Sequence, residues 1–470
     1  MNNIAATDSY KFSHFLQYPP GTQFVNSYIE PRGVSSTFPT TNEIVSFGVQ
    51  GFVRDKLHKA VTKEDIEKEA WFANMHGLPF NKEGWKIIVE EYGGFLPVKI
   101  EALPEGTVFP LKTCQVQVIN NDERLPWLTS YIETALLRAV WYPSTVATLS
   151  REIKKVMKKY LDDTCDDPET AKAHLEFMLH DFGARGATSA ESAAIGGAAH
   201  AINFSGSDTF EAISYIRKNY CPPVGPFTMP IFSVPAAEHS TITSWLDHGG
   251  EIAAFRNMIN QFSKPHSIYA VVSDSYDIYH AVQTLWGKEL KNEVLEKGGR
   301  LVIRPDSGDP KTIVMEVLHE LSKTFGYTIN NKGFLVLHPA VRVIQGDGVD
   351  YNSIKSILEE MKRFGFAAEN VVFGMGGALL QKVNRDSLKY AMKASAICVN
   401  GKWSDVYKNP ITDKNKVSKR GRLKVTPYFE TVREEQSVGN ILKIYWNFSR
   451  VKAEVLVEDF EKIRERASIK

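Results

Sequence analysis

From about residue 177 the chain repeats one pattern roughly seven or eight times: a short apolar run ends in Asp, His or Gly, and a helical pattern follows. The runs occupy residues 177–183, 201–208, 231–239, 269–274, 301–308, 341–348, 371–377 and 396–401. A spacing of roughly 25–40 residues is typical of repeated βα units and predicts a parallel sheet or barrel of (β/α)₈ size. Functional groups of such a barrel lie where strands end, so we expect the polar ends of these runs to form a site.

The chain before these repeats has a different texture. Residues 56–92 follow a helical pattern, whereas residues 96–102 and 106–118 alternate apolar and other residues, which is typical of a sheet with one solvated face. We therefore divide the chain into a mixed α/β N-terminal part (1–145), an α/β-barrel catalytic domain (146–385) and a C-terminal part (386–470).

Charge and cysteine usage argue against several classes of protein. The sequence has 56 Lys and Arg against 55 Asp and Glu, so its formal net charge of +1 gives no electrostatic reason to expect nucleic-acid or membrane binding. The four cysteines are scattered without a CxxC pair, which fits a reducing cytosol. We see no signal-peptide pattern and no apolar run near the ~18 residues that would cross a bilayer. A cytoplasmic enzyme is the expectation.

Glycine-rich turns follow two of the late runs, Gly346-Asp347-Gly348 and Gly374-Met375-Gly376-Gly377. Glycine lets backbone N–H groups approach an anion closely, and late βα loops of barrels often hold a phosphate group. Cationic candidates for the same phosphate site are Arg185, Arg304, Arg385 and His239. For each arginine the alternative is a surface ion pair, and Arg304 could also pair with its own loop. For His239, at a helix start, the alternative is an ordinary capping or core histidine.

Carboxylates end other runs, namely Asp208, Asp274, Asp306 and Asp347. A carboxylate repels phosphate unless a cation or sugar hydroxyl groups lie between them, so these residues indicate ribose, Mg²⁺ or a substrate amide in the same site. Buried ion pairs with the arginines are the alternative. No HExxH, EF-hand, zinc cluster, Walker P-loop or G-x-S-x-G motif is present, so metallohydrolase, ATPase and serine-hydrolase chemistry has no support. The residues alone indicate a phosphate-sugar enzyme on a barrel-like fold.

Six ordered motifs resemble those of the nicotinamide phosphoribosyltransferase family. They lie at residues 6–11, 179–183, 233–243, 272–277, 303–308 and 343–348. The resemblance implies a type II phosphoribosyltransferase fold: an α/β chain with a distorted or incomplete (β/α) barrel, plus a mixed α/β domain whose antiparallel sheet is formed by both chain ends. The C-terminal part would then pack back on the N-terminal domain.

The implied activity is that of a pentosyltransferase, EC 2.4.2.12, acting in NAD salvage. It joins nicotinamide to 5-phosphoribosyl-1-diphosphate and gives nicotinamide mononucleotide and diphosphate. The resemblance further implies Mg²⁺ bound with the phosphoribosyl diphosphate, ATP as an optional coupling substrate, and a homodimer with shared active sites. It implies no metal site built by protein side chains alone.

The resemblance also implies a role for each matching residue. His239, Asp274 and Asp306 would be catalytic, and His239 would be the phosphorylatable histidine that couples ATP hydrolysis to the synthesis. Phe182 and Tyr10 of the partner subunit would sandwich the pyridine ring, and Asp208 would accept a hydrogen bond from the carboxamide. The other implied contacts are Arg304 with the amide side and the diphosphate; Arg185 and His239 with the diphosphate; Asp306, Gly346 and Asp347 with the ribose; Gly376, Gly377 and Arg385 with the 5′-phosphate; and Arg32, Lys393 and Lys408 with the phosphate from across the interface.

Three positions depart from the pattern of the animal members. Ala184 and Ala270 stand where Tyr and Ser are expected near the base pocket, and Ala391 replaces a Ser of the phosphate site. The loop after Arg32 is also shorter. These differences leave open the shape of the base pocket and of its access tunnel.

Two other functions stay open at this point. One is nicotinate phosphoribosyltransferase activity, which an ionised Asp208 disfavours because it would repel a carboxylate base. The other is a nucleotide-binding homologue without turnover, against which the presence of His239, Arg304, Asp306 and Asp347 argues.

Overall fold

The computed structural model describes residues 2–221, 227–412, 416–436, 438–450 and 453–469. The strands are β1 (Thr22–Glu30), β2 (Ile44–Val45), β3 (Val98–Ala102), β4 (Val108–Phe109), β5 (Val116–Asn120), β6 (Leu179–Asp181), β7 (Gly206–Ser207), β8 (Ile268–Val272), β9 (Arg300–Arg304), β10 (Tyr327–Ile329), β11 (Leu335–Leu337), β12 (Val341–Gln345), β13 (Val371–Met375), β14 (Ala391–Val399), β15 (Lys402–Asp405), β16 (Leu423–Val425), β17 (Thr431–Arg433), β18 (Lys443–Phe448) and β19 (Ala453–Val455).

The α-helices are α1 (Val49–Phe52), α2 (Lys63–Met75), α3 (Lys82–Tyr92), α4 (Leu128–Tyr131), α5 (Glu133–Thr164), α6 (Pro168–Phe177), α7 (Ala190–His200), α8 (Glu211–Tyr220), α9 (His239–Thr243), α10 (Gly250–Phe262), α11 (Ile278–His280), α12 (Lys291–Lys297), α13 (Pro310–Phe325), α14 (Tyr351–Arg363), α15 (Gly377–Leu380) and α16 (Phe460–Ala467). Segments of 3₁₀ helix lie at Ser9–Leu16, Ala184–Gly186, Leu246–His248 and Ala368–Asn370, and segments of π helix at Val53–Leu57 and Ala281–Glu289.

A six-stranded parallel sheet carries most of the apolar runs. Its order is β7-β6-β13-β12-β9-β8, and each pairing is parallel. Segment 231–237 joins its two edges, because Phe232 bonds to the backbone beside β7 and the Pro235 carbonyl accepts from Ala270 N of β8. Pro230 and Pro235 have no N–H, which explains why this run makes isolated bridges rather than a full strand. The predicted distorted barrel is confirmed.

A seven-stranded sheet unites the two ends of the chain. Its order is β15-β14-β1-β5-β3-β18-β19, and its pairings are antiparallel, which confirms the sheet that the resemblance implied. The run at 396–401 belongs to β14 of this sheet and not to the barrel. The reason is the two-residue turn Asn400-Gly401, with φ of 48° and 75°, which folds β14 back on β15 as a hairpin.

Helix α5 lies between the barrel and the N-terminal part. It packs against α6, α7 and α14 on one side and against β2 and α1 on the other. Every residue from Pro143 to Ile153 is buried, as expected for a helix with core on all its faces. The expected domain boundary at residue 145 falls inside this helix, and the three-part division stays a prediction.

Capping carboxylates begin the helices that follow several barrel strands. Asp277 accepts hydrogen bonds from two backbone N–H groups at the start of α11. Asp309 and Asp350 likewise accept from backbone N–H groups at the starts of α13 and α14. Because each cap fixes where its helix begins, it also limits the length and course of the loop that follows the strand.

Candidate active site

The three residues predicted to be catalytic meet at the carboxyl end of the barrel. His239 begins α9, Asp274 follows β8 and Asp306 follows β9. The Nε2 atom of His239 lies 3.0 Å from Asp274 Oδ1, and its Nδ1 atom lies 3.8 Å from Asp306 Oδ2. The imidazole thus stands between two carboxylates, with its side chain 45% exposed to the opening above them.

Asp274 anchors this group. Its side chain is only 4% exposed and accepts hydrogen bonds from Asp306 N at 2.9 Å and from the Ser307 hydroxyl. Burial alone would raise the pKa of Asp274, but the hydrogen bonds from Ser307, the Asp306 backbone and His239 outweigh it and lower the pKa below its ordinary value. Asp274 is therefore held ionised. Ser307 was not a predicted site residue, although it lies inside the Asp306-Ser307-Gly308 motif.

Arg304 ends β9 beside these carboxylates. Its guanidinium group lies 3.5 Å from Asp306, a long distance for a charge-assisted pair, and its Nε atom makes no hydrogen bond to the described residues. The contact with its own loop, raised as an alternative from the sequence, is thus present but weak. Donor groups of Arg304 are left over for an anion.

A cavity of about 460 Å³ inside the barrel has Arg304 in its wall. Alternate residues of β9 line it from the first residue of the strand to the last, Arg300, Val302 and Arg304, because alternate side chains of a strand point to one face. Its middle level is apolar, where Val302 packs with Ala270 and Ile344. Ala270, one of the departures from the family pattern, therefore contributes a small apolar group to the wall.

Phe182 lies at the cavity wall and packs on two glycines. A Cβ atom at Gly374 would lie 2.0 Å from Phe182 Cε2, and one at Gly346 would lie 3.5 Å from the same atom. No side chain at position 374 is compatible with the observed ring. Gly374 thus has a packing reason for its lack of a side chain, which the sequence interpretation did not include.

Asp208 lines the same cavity as Phe182 and is exposed. Its carboxylate accepts a hydrogen bond from the Ser233 hydroxyl, and its N–H donates to the Asp181 carbonyl at 2.9 Å. Ser233 also lines the cavity, and sequence reasoning missed it. Its place in the motif that leads to His239 was the available signal.

Arg185 and two of the predicted phosphate glycines share one neighbourhood. Arg185 lies in the 3₁₀ turn Ala184–Gly186, and a Cβ at Gly186 would lie 3.2 Å from Gly377 Cα. Gly376 faces the Phe182 carbonyl. The turn after β6 therefore packs directly on the turn after β13.

Asp347 follows β12, and its backbone carbonyl accepts a hydrogen bond from the Gln345 side chain at 2.7 Å.

Four of the predicted phosphate-binding cations form a second group, which we call the cation cluster: Arg32, Arg385, Lys393 and Lys408. Lys393 lies on β14 opposite Tyr28 of β1. Burial lowers the pKa of Lys393, the Glu133 carboxylate opposes this, and the charges of Arg32, Lys408 and Arg385 lower it further. Arg385 also forms an ion pair with Asp386 at 3.1 Å, which is the surface pair that the sequence left open as an alternative. The repulsion of Lys393 by the other three cations suits a polyanion.

Tyr10 adjoins the cation cluster through Glu133. Its neighbour Lys11 forms a 2.6 Å ion pair with Glu133, the same carboxylate that acts on Lys393. The Tyr10 ring is 58% exposed. The hydrogen bonds of the cluster are local, such as the one that Arg32 Nε donates to the Lys389 carbonyl. Among the described residues, no hydrogen bond joins the cluster to the His239–Asp274 pair. The predicted site residues thus fall into two groups.

The other departures from the family pattern lie near these groups. Ala184 begins the turn that carries Arg185, and Ala391 begins β14 opposite Glu30. In the part of the chain that the structure describes, no helix is long and apolar enough to cross a membrane. Within the same ranges, no group of three or more His, Cys, Asp or Glu side chains is arranged to hold a metal ion.

Two family models match the chain. The one described as the nicotinate phosphoribosyltransferase (NAPRTase) family covers residues 177–443, and the one described as the nicotinamide phosphoribosyltransferase N-terminal domain covers residues 2–100. A Xanthomonas campestris protein named nicotinamide phosphoribosyltransferase is 50% identical over 422 residues, which are 90% of this chain and 87% of that one. This chain belongs to the nicotinate phosphoribosyltransferase family. A protein from Acinetobacter baylyi, also named nicotinamide phosphoribosyltransferase, is 30% identical over an alignment that covers 95% of this chain and 94% of the Acinetobacter protein.

Solved structures confirm the fold of this family member. Nicotinate-nucleotide pyrophosphorylase from Pyrococcus furiosus superposes with a TM-score of 0.60 at 17% identity, over 99% of this chain and 94% of that one. Human nicotinic acid phosphoribosyltransferase gives a TM-score of 0.56, also at 17% identity, over 98% and 92% of the two chains. The type II phosphoribosyltransferase fold is thereby confirmed, while the roles assigned to single residues stay predictions.

Under the stacking role that the family resemblance implies for Phe182, we expect Phe182→Ala to weaken nicotinamide binding by about 1–3 kcal/mol, the usual contribution of an aromatic ring stacked on a base. Titration calorimetry with nicotinamide measures this directly. The matched control is Phe210→Ala, which removes an exposed ring two residues after Asp208. Equal affinity in the Phe182 variant and the parent protein would contradict the stacking role.

Proposed function

We propose that this protein is a nicotinamide phosphoribosyltransferase that condenses nicotinamide with 5-phosphoribosyl-1-diphosphate. The observation that carries the proposal is the position of Asp208, which lines the same cavity as Phe182 and Arg304 and whose N–H bonds to the carbonyl of Asp181, the residue before Phe182. An aromatic ring and a carboxylate in one cavity suit a flat aromatic base that donates an N–H, and a carboxamide does so. The name of the half-identical relative supports the same substrate.

In the proposed reaction the pyridine nitrogen attacks C1 of the ribose, and the bond from C1 to diphosphate breaks. Positive charge builds on the ribose ring as diphosphate leaves, and the carboxylates of Asp306 and Asp274 stabilise it. Arg304, Arg185 and His239 would bind the leaving diphosphate. Phe182 would hold the pyridine ring in the orientation needed for attack, and this orientation lowers the activation barrier.

The Asp274–His239 contact has its own role in this scheme. An ionised Asp274 accepts from His239 Nε2 and so fixes the orientation of the imidazole. The opposite nitrogen, Nδ1, then faces the side of Asp306. This arrangement presents one nitrogen to the diphosphate or to a phosphoryl group. Phosphorylation of His239 by ATP, as a coupling step, stays a prediction.

Mg²⁺ is proposed to enter with the phosphoribosyl diphosphate. The carboxylate of Asp306 fits such an ion, because its contacts with Arg304 and His239 are no closer than 3.5 Å and leave acceptor capacity on both oxygens. Asp274, by contrast, already accepts from three donors. When bound, Mg²⁺ offsets negative charge on the diphosphate.

We further propose a homodimer in which Arg32, Lys393 and Lys408 of the cation cluster in one subunit complete the barrel site of the other. The separation of the predicted residues into two groups supports this, and so does the exposed Tyr10 ring at the edge of the cluster. A cytoplasmic location is also proposed, supported by four free cysteines that form no disulfide.

An assay of diphosphate release with each pyridine base tests the substrate. We expect nicotinamide to exceed nicotinic acid in kcat/KM by at least about tenfold, because a like-charge contact costs several kcal/mol and 1.4 kcal/mol is tenfold. Asp208→Asn should reduce this ratio by about tenfold. The control is Glu211→Gln, which removes a nearby exposed carboxylate.

Each outcome of this assay has a distinct meaning. Faster consumption of nicotinic acid would replace the proposed substrate by nicotinate. Absence of turnover with both bases, in the presence of Mg²⁺ and phosphoribosyl diphosphate, would favour the non-catalytic homologue. An unchanged ratio in Asp208→Asn would remove Asp208 as the source of selectivity while leaving the activity in place.

A further inference from the structure

Asp181 is a fully buried carboxylic acid between the two residues proposed to bind the base. It ends β6, immediately before Phe182. Its Oδ1 atom accepts from Gly183 N at 2.7 Å, and its backbone carbonyl accepts from Asp208 N at 2.9 Å. One residue therefore holds both the turn that carries Phe182 and the segment that carries Asp208.

The surroundings of the carboxyl group are shaped to fit it. A Cβ at Gly183 would lie 2.9 Å from Asp181 Oδ1, and a Cβ at Gly197 of α7 would lie 3.3 Å from Oδ2. A larger side chain at either glycine would push against the acid. The Oδ2 atom and the adjacent Thr209 hydroxyl are both buried without a hydrogen bond of normal geometry among the described residues. A buried carboxyl oxygen without a hydrogen-bond partner lowers the stability of the fold, which points to a functional role for Asp181.

We propose that Asp181 is a positioning residue for the pyridine base: its carboxyl group fixes the turn that carries Phe182, while its backbone carbonyl holds Asp208, and its negative charge strengthens the preference of Asp208 for a carboxamide over a carboxylate. This inference rests on the proposed function, because it deepens base recognition at the same site. Asp181 touches no substrate in this scheme and acts only through its two neighbours.

The charge part of the inference predicts a dependence on pH. Burial raises the pKa of Asp181 to about 6, the adjacent Thr209 hydroxyl and the hydrogen bond from Gly183 N oppose this rise, and the charges of Asp208 and Glu211 add to it. Tyr142 of α5 and His180 of β6 are the other titratable groups around it, and burial raises the pKa of Tyr142 and lowers that of His180, which favours the neutral form of each. From α7 and α15 the facing residues are Gly197 and Leu380, which carry no charge.

The direction follows from the raised pKa. Above pH 6 Asp181 is ionised and its charge adds to that of Asp208, so rejection of nicotinic acid is strongest there. As the pH falls through 6 the acid gains a proton, and selectivity for nicotinamide should decline with it.

Asp181→Asn is the first test, because Asn keeps an oxygen for Gly183 N and nearly the same shape but cannot ionise. We expect the ratio of kcat/KM for nicotinamide to that for nicotinic acid to lose its step near pH 6 and to stay about tenfold below the parent value at pH 8. The control Glu211→Gln removes a neighbouring charge without touching the turn and should keep the step. Thr209→Val removes a group that favours the ionised acid, so the step should move to higher pH.

The positioning part is tested with Asp181→Ala, which removes the acceptor of Gly183 N. We expect KM for nicotinamide to rise by about tenfold, whereas kcat at saturation changes less. Thermal unfolding of each variant is measured to check that the variant is folded at the assay temperature. If Asp181→Ala does not fold, Asp181→Asn alone decides the proposal through the pH profile.

Two outcomes separate this inference from the function beneath it. An active parent protein whose Asp181→Asn variant keeps the same selectivity and the same pH step overturns the inference and leaves the function standing. A parent protein that does not turn over nicotinamide overturns the proposed function first, and the inference with it.

Discussion

Asp274→Asn is expected to lower kcat/KM for diphosphate release by about 100- to 1,000-fold, the usual loss when one preorganised electrostatic group is removed. The buried carboxylate binds His239, Asp306 N and Ser307 at once. An amide in its place carries no charge to stabilise the ribose, and its NH₂ group would face a donor. The imidazole and the loop after β9 would both lose their fixed positions.

Stability has to be followed alongside activity in this variant. The pKa of Asp274 is lower in the folded chain, so its charge stabilises the fold above the ordinary carboxylate pKa, and this contribution is lost as the pH falls from that value through the lowered pKa. Some loss of thermal stability is therefore expected at neutral pH. Initial rates should be measured well below the unfolding temperature of the variant.

Asp277→Asn is the matched control for this prediction. It makes the same chemical change three residues further on, where the side chain caps α11 and is exposed. Asn is nearly as good a cap as Asp, so its rate should stay within about twofold of the parent. Comparable rates for the Asp274 and Asp277 variants would show that the buried carboxylate is not needed for turnover.

The barrel was readable from the sequence because its strands are short, apolar and followed by helices. β9 and β12 match their apolar runs closely. Both faces of these strands are largely buried, so their sequences do not alternate strictly between apolar and polar residues. The run at 231–239 reads in the same way but contains Pro235 and follows Pro230, and the missing N–H groups reduce it to bridges. The run at 396–401 ends in Asn-Gly, a hairpin signal that outweighs its apolar character.

The site was readable to a different depth in each of its parts. His239, Asp274 and Asp306 stand at run ends, and a barrel brings run ends together whatever its exact shape. Asp181 also stands at a run end, yet only the fold shows that its side chain turns inward while Asp208 stays exposed. Ser233 and Gly374 act through contacts with Asp208 and Phe182, which depend on three-dimensional packing rather than on spacing.

The cation cluster shows the same limit for charge. The family resemblance places Arg385 with Gly376 and Gly377 at one phosphate, and the structure adds that the charge of Arg385 also acts on Lys393 of the antiparallel sheet. β1 and β14 come from opposite ends of the chain, and their pairing places Arg32 and Lys393 in one surface. Arg32 and Lys393 are far apart in the sequence, so only the family resemblance indicated that they lie close together.

A mixture of two inactive variants is expected to recover activity if the site is shared between subunits. Asp274→Asn removes a barrel-mouth group, and Lys393→Met removes a charge of the cation cluster while keeping the length of the side chain. In randomly mixed dimers half the molecules are hybrids, and each hybrid has one site with both groups intact, so about a quarter of the parent activity should return. Co-expression at equal levels, followed by measurement of diphosphate release, gives this value.

The control mixture combines Asp274→Asn with Asp306→Asn. Both residues lie at the mouth of the same barrel, as the 2.9 Å bond between Asp274 and Asp306 N shows, so every site of every hybrid carries one lesion. No recovery is expected from this pair. Recovery in the first mixture alone fits a cluster that acts across the interface. Failure of the first mixture, with hybrid dimers present by native mass spectrometry, would mean that Lys393 serves the barrel of its own chain.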